Sequence, residues 1–267
     1  MSGPSFAGIV PRVYDTNLGP VWFQKYALDM AAITAAGKPR QVLEIACGTG
    51  IVTRALRSAL RSDAKIVATD FSEDMLAVAR EKFTSSDDVE LKRADGTALP
   101  FDDGMFDAAV CQFGMMFYPD RQKGLREACR VLAAGGRYLF SVWDDHRFNP
   151  LGRVLDETLA GMFASDPPKF YQIPFSYARV DEIRTSLQEA GFRRIDVWIN
   201  PYDHAIDDLG PLAHGAVFGS PLFGQVRDRA GDHQQVERTI LAALRREFGN
   251  EPTSIPHQAI LIVACKP

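Results

Sequence analysis

Long apolar runs are missing from this chain. None approaches the roughly 20 consecutive apolar residues that a membrane-spanning helix needs, so no transmembrane segment is expected. The opening residues, Met-Ser-Gly-Pro-Ser-Phe-Ala-Gly-Ile-Val, lack the basic start and apolar stretch of a secretory leader. Cysteine is scarce, with four residues at positions 47, 111, 129 and 265 and no Cys-x-x-Cys spacing. That excludes a zinc ribbon and leaves buried, reduced thiols in a cytoplasmic protein as the expectation. A basic surplus is also absent: 34 acidic residues stand against 30 basic ones. A nucleic-acid binder needs cations to neutralise phosphates, and Arg54, Arg57, Arg61 and the Arg245-Arg246 pair read as solvated helix faces. The expected partner is therefore a small molecule and not nucleic acid, with the assembly left open between monomer and homodimer.

What the chain does contain is alternation. Between about residues 40 and 143, short apolar runs at 41–47, 65–69, 89–93, 106–112 and 137–142 alternate with helical patterns at 51–61, 73–83 and 121–132. Strands separated by helices imply βαβ units and a doubly wound α/β domain with a mostly parallel sheet. Further on, residues 180–190 and 236–248 read as helices, and 194–199 and 259–265 as late strands. These complete a Rossmann-like sheet of seven strands, with an N-terminal helical cap and a C-terminal lid insertion. The expected division of this one domain is a cap at 1–38, a core at 39–145, and substrate covers at 146–180 and 201–257.

The first strand runs into Ala46-Cys47-Gly48-Thr49-Gly50. A glycine-rich turn between strand and helix lets backbone N–H groups approach an anionic or carboxylate-bearing ligand. Asp70 closes the second strand 20 residues beyond Gly50, the spacing of a carboxylate that accepts from two ribose hydroxyls. A nicotinamide dinucleotide and S-adenosylmethionine both satisfy this pair, and many such turns are merely structural. Two features divide them. Glu44 sits inside the first strand, where a charge is costly unless it is paired or used. A dinucleotide-binding first strand is normally apolar throughout, whereas a carboxylate there meets the cationic end of S-adenosylmethionine. Directly after the third strand, Asp95 can accept from an adenine amino group and Gly96 admits the ring, although Asp-Gly alone is an ordinary turn.

Taken together, Val42–Gly50, residues 68–72, residues 94–101, residues 106–117 and residues 132–140 resemble class I S-adenosylmethionine-dependent methyltransferases, and within them the small-molecule subset that includes the ubiquinone and menaquinone methyltransferases. The resemblance is strong over about residues 40–143 and holds elsewhere in outline. It implies Glu44, Ala46, Cys47, Gly48 and Gly50 around the methionine moiety and Asp70 at the ribose. Phe71 and Met75 would flank the adenine, Asp95 and Gly96 would meet its edge, and Gln112 with Phe113 would line the floor. The family usually has glycine where this chain has Ala46, so a slightly altered turn is expected.

The implied reaction is in-line methyl transfer from S-adenosylmethionine to a small-molecule acceptor, leaving S-adenosylhomocysteine, with no metal. The accepting atom (O, N, S or C) stays open, and so does the catalytic residue: His146, His204, His214, Asp144 and Tyr118 are candidates, each with an equally ordinary packing role. Tyr14 and the aromatics near it read as a helix folding over the cofactor or as a hydrophobic staple. A nicotinamide-dependent oxidoreductase would want a Tyr-x-x-x-Lys pair, which the chain lacks. A metalloid methyltransferase would want several cysteines near the turn, and a nucleic-acid or protein methyltransferase an Asn-Pro-Pro-Tyr type motif where Gln112-Phe-Gly-Met stands. A non-catalytic S-adenosylmethionine-binding protein remains the alternative from outside enzymology.

Overall fold

A computed structural model describes residues 5–163 and 165–267. Positions 1–4 of the expected cap and position 164 of the expected cover lie outside the described residues. Seven strands, β1 (Gln41–Ile45), β2 (Lys65–Asp70), β3 (Val89–Arg93), β4 (Phe106–Gln112), β5 (Leu132–Trp143), β6 (Ile195–Ile206) and β7 (Thr253–Cys265), form one sheet in the order β3-β2-β1-β4-β5-β7-β6. The first five are parallel, and β7 runs antiparallel to both β5 and β6. The strand order reverses beside β1, the switch point where open α/β sheets bind ligands at the carboxyl ends of their strands.

Alternate residues of the central strands serve opposite cores. Leu43, Ala109, Cys111 and Phe140 face one core, and Val42, Ala108, Val110 and Leu139 face the other. With both faces covered, these strands read as unbroken apolar runs. Helices α1 (Val10–Val13) and α2 (Gln24–Ala36) flank a widened helical stretch, Tyr14–Phe23, in which the N–H of Gln24 donates to the carbonyl of Gly19. Pro20 lies inside that stretch and cannot donate an amide hydrogen, which favours the departure from regular helix. Between the core strands run α3 (Ile51–Ala59), α4 (Glu73–Arg80) and α5 (Arg121–Val131). Ser72 caps α4 by accepting from Met75 N–H, and Asp120 caps α5 from Lys123 N–H, as short polar side chains do at helix starts. The C-terminal part adds α6 (Pro150–Met162), α7 (Val180–Glu189), α8 (Leu209–Phe218), α9 (Leu222–Arg227) and α10 (His233–Phe248).

The two late strands are longer than expected. Residues 201–206 and 253–257, read as parts of a substrate cover, pair as an extension of the β6–β7 hairpin. Pro201 and Pro256 disguise this, because proline normally breaks a ladder. Here β6 is the sheet edge, and β7 has no β5 neighbour before the Trp143–Ala259 pair, so neither proline removes a needed hydrogen bond. Helices α8, α9 and α10 occupy the rest of that excursion; α8 packs on Tyr14–Phe23 and α10 on α6. Among the described residues no helix is long and apolar enough to cross a membrane.

Candidate functional site

At the end of β1 the chain enters the left-handed region at every second residue: Ala46 at φ 58°, Gly48 at 56° and Gly50 at 80°. Glycine adopts this conformation freely, and other residues do so at a cost of about 1–2 kcal/mol. A side chain at Gly48 would meet nothing within 4 Å, so this backbone faces open space. Gly50 starts α3 and backs onto Phe83 and Ala79 at 3.1 and 3.3 Å from where a Cβ would stand. Ala46 carries its methyl group only because the opposing residue is Gly114, where a Cβ would come within 2.7 Å of the Ala46 Cβ. Relief of the strain at position 46 outweighs the extra freedom glycine gives the unfolded chain, so Ala46→Gly should stabilise the protein by about 0.5–1 kcal/mol. Thermal unfolding should show a rise of roughly 1–4 °C; a lower melting temperature would show that the methyl group packs better than it strains.

Beneath the turn, Glu44 is 1% exposed on β1. Burial pushes its carboxyl up to about 8, the nearby charge of Asp70 adds to this, and the Thr53 hydroxyl on α3 pulls the other way. Even so, Glu44 Oε2 and Thr53 Oγ1 have no partner of standard hydrogen-bond geometry. Asp70 ends β2 with its carboxylate already engaged: Gly48 N–H donates to Oδ2 and Ser72 N–H to Oδ1, each at 2.8 Å. Burial raises its carboxyl from the ordinary value, and these two amides oppose that rise. Asp70 thus ties the turn after β1 to the turn after β2, and each oxygen keeps a lone pair for a further donor.

The remaining expected residues lie just beyond the carboxyl ends of β1, β2 and β3, at the end of β4 or, for Met75, on α4, and their surroundings differ. Cys47 is buried, its N–H donates to the Thr69 carbonyl, and burial holds its thiol well above the usual range, so it is not a reactive thiolate. Asp95 accepts from Thr97 N–H and Thr97 Oγ1, both at 2.8 Å. Gly96 is needed by Tyr118, whose hydroxyl would lie 2.0 Å from any Cβ there. Tyr118 is itself half-buried, with the charges of Asp70 and Asp95 near its hydroxyl. Met75 is buried on α4, but Phe71 is 65% exposed and its ring lies 5.4 Å from the Arg93 guanidinium. Gln112 Nε2 donates to the Phe23 carbonyl at 3.1 Å, leaving Oε1 buried and unpartnered. Phe113, at φ 52°, stacks on Trp143 at 3.9 Å between ring centres.

The N-terminal segment is latched over the turn by polar contacts. Thr49 Oγ1 donates to Asp15 at 2.6 Å, and Lys82 pairs with the same carboxylate. Ser72 Oγ donates to the Phe6 carbonyl at 2.8 Å, and Gly8 N–H to Asp74 at 2.7 Å. Tyr14 stacks on Phe23 at 4.8 Å, and burial, followed by the charges of Asp70 and Asp15, holds its phenol strongly protonated. Asp15 was not legible in the sequence, because its partners lie 34 and 67 positions away.

The candidate bases separate. His214 bonds Glu237 at 3.1 Å and joins α8 to α10, while Asp144 accepts from Gln258 Nε2 at 2.7 Å. His146 packs on Phe175 with its Nε2 3.3 Å from the Tyr171 carbonyl. His204 is different. It is 9% exposed, its Nε2 is unpartnered, and its ring centre lies 4.9 Å from that of His257, which is 1% exposed with both nitrogens unpartnered. Each such orphaned group costs about 1–3 kcal/mol. Burial lowers both imidazoles, His257 to about 3, so both are neutral at physiological pH. Sequence reasoning missed His257; it follows Pro256 ahead of the apolar run and looks like a loop. Among the described residues, no group of three or more His, Cys, Asp or Glu side chains is arranged to hold a metal ion. A separate surface depression, bordered by Lys123, Arg126, Arg130 and Lys266, contains none of these residues.

Residues 42–136 match the family model for the methyltransferase domain. Over 113 residues the chain is 43% identical to the demethylmenaquinone methyltransferase of Clavibacter sepedonicus, spanning 42% of this chain and 44% of that one. Over 189 residues it is 28% identical to the ubiquinone/menaquinone biosynthesis C-methyltransferase of Escherichia coli, spanning 66% and 74%. The match thus reaches less than half the length of the first relative. In fold it is similar to phosphoethanolamine N-methyltransferase 2 of Haemonchus contortus, solved with phosphomonomethylethanolamine and S-adenosylhomocysteine. That likeness has a TM-score of 0.62 at 17% identity and covers 96% of this chain and 57% of that one.

Proposed function

We propose that the chain is a class I S-adenosylmethionine-dependent methyltransferase, which its similarity to methyltransferases over residues 42–136 supports, and that it transfers a methyl group from S-adenosylmethionine to a small, largely apolar acceptor. One observation carries the reading: a buried carboxyl group, Glu44, has an unpartnered oxygen beneath a left-handed turn whose next anchor is a half-buried carboxylate, Asp70. A dinucleotide would bring its anionic pyrophosphate to this turn, whereas S-adenosylmethionine would bring the cationic amino group of its methionine end. The residues fit that group. Glu44 and the backbone of Ala46, Cys47, Gly48 and Gly50 would hold the methionine end, Asp70 the ribose, and Asp95 with Gly96 the adenine, with Met75 beside it. Phe71 would reach the ring from the surface.

When bound, S-adenosylmethionine supplies a methyl group already activated by its sulfonium. This chain's residues then have to position and desolvate. Trp22, Phe23, Phe113, Trp143 and Tyr171 form one connected aromatic cluster at the carboxyl end of the sheet, which excludes water and favours a flat apolar acceptor. Residues 146–180 and the helices between β6 and β7 are the assigned cover over it. The four free cysteines suit a reducing cytoplasm. Calorimetry with S-adenosylmethionine, S-adenosylhomocysteine and NAD tests the donor, and a methyl-transfer screen over quinols, phenols, amines and thiols reads the acceptor. Binding of both sulfur compounds without NAD is expected. Tight NAD binding with no response to either would overturn the reading.

A further inference from the structure

The sheet's carboxyl end holds a polar group that the donor site does not use. β7 extends past the last residue of β5, and two positions beyond the Trp143–Ala259 pair it places His257. The ring of His257 lies 5.8 Å from that of Trp22, 6.1 Å from that of Trp143 and 4.9 Å from that of His204 on β6. Trp143 in turn stacks on Phe113, the residue that follows β4 next to the glycine-rich turn. The histidine pair therefore adjoins the aromatic cluster assigned to the acceptor. Both nitrogens of His257 and Nε2 of His204 are buried without a partner among the described residues. Asn149, which contacts the same strand and is also 1% exposed, is by contrast fully served: it donates to three carbonyls and accepts from Gln258 N–H. An unserved pair in such surroundings points to a ligand.

We propose that His257 and His204 form the acceptor's polar subsite and receive the hydroxyl of a neutral hydroxy-aromatic molecule whose ring lies against Trp22 and Trp143. This deepens, and rests on, the reading of the chain as a methyltransferase. The chemistry of the surroundings sets the class. A neutral imidazole offers one acceptor and one donor nitrogen, matching a hydroxyl that both gives and receives. Asp29 is taken by Tyr202 and Asn200, and Asp203, which precedes His204 on β6, is exposed on the opposite face of that strand, so neither presents a buried carboxylate to an ammonium acceptor. A carboxylate acceptor would meet two neutral imidazoles, with the Lys25 ammonium held over the Tyr202 ring at 3.8 Å. His257 and His204 are thus positioning residues that select and orient the acceptor.

The test titrates the full chain, loaded with S-adenosylhomocysteine, with 2-naphthol, naphthalene and 2-naphthoate by calorimetry, and follows the imidazole nitrogens by NMR. The expected result is that 2-naphthol binds at least tenfold tighter than the other two and shifts the His257 nitrogen resonances. In His257→Phe the preference should disappear while S-adenosylhomocysteine affinity stays unchanged. His257→Gln, which keeps a donor and an acceptor, guards against a variant that fails to fold, and it should retain part of the preference. Equal affinity for 2-naphthol and naphthalene, or unshifted imidazole nitrogens, would overturn the proposal. Absence of S-adenosylhomocysteine binding in the unaltered protein would instead overturn the methyltransferase reading, a separate and distinguishable outcome.

Discussion

Asp70→Ala should weaken S-adenosylhomocysteine binding by at least a hundredfold. Two losses add. The ribose hydroxyls lose an ionised acceptor, and hydrogen bonds to charged groups contribute about 1.5–3 kcal/mol each. At about 1.4 kcal/mol per tenfold, two such bonds account for the hundredfold or more. The second loss is structural. Asp70 also receives Gly48 N–H and Ser72 N–H, so its removal frees the turn that has to face the ligand. Asp70→Asn separates the two contributions, because its single carbonyl oxygen can serve only part of the set. An intermediate loss, about tenfold to thirtyfold, is expected for it on the same scale. Titration calorimetry measures both variants, and circular dichroism checks that the sheet persists. Unchanged affinity in Asp70→Ala would remove Asp70 from the ligand and leave it only as a tie between two turns.

Much of this site was legible because its signals are local. Glu44 betrays itself as a charge inside an apolar strand, and Gly48 and Gly50 as the residues that turn the chain left-handed. Asp70 and Asp95 follow at strand ends, where the βα alternation fixes their place on one rim of the sheet. The central strands were legible for the same reason, since burial on both faces leaves unbroken apolar runs. What stayed hidden depends on partners far apart in the chain. The Asp15 latch is set by Thr49 and Lys82, the need for Gly96 by the Tyr118 hydroxyl, and the tolerance for Ala46 by Gly114. The β6–β7 extension was masked by Pro201 and Pro256, whose cost vanishes only at unpaired edges. His257 was masked with it. Its unpartnered state depends on what packs around it, and no spacing in the sequence records that.

Glu44 should make both folding and cofactor binding depend on pH. Its carboxyl, near 4.5 in the unfolded chain, is held up to about 8 in the ligand-free fold. The fold therefore keeps a proton that the unfolded chain gives up, and the stability this contributes is fully present below pH 4.5 and lost as pH rises toward 8. His257 has the opposite sign. Its imidazole falls to about 3 from the ordinary 6.5, so its contribution is complete above 6.5 and lost on acidification. The two slopes oppose each other below pH 6.5, and only Glu44 acts between 6.5 and 8. At about 1.4 kcal/mol per unit, the ligand-free protein should lose about 2 kcal/mol across that window, and Glu44→Gln should abolish the loss. Urea unfolding at several pH values measures it. Binding reads the same proton from the other side. A cationic amino group brought to Glu44 favours the carboxylate, so cofactor binding at pH 7 should release close to one proton. Calorimetry in two buffers of different ionisation enthalpy counts it, and the count should fall to zero in Glu44→Gln while affinity drops about tenfold or more. Equal proton release in both proteins would separate Glu44 from the cofactor's charge and return it to the strand as an unexplained buried acid.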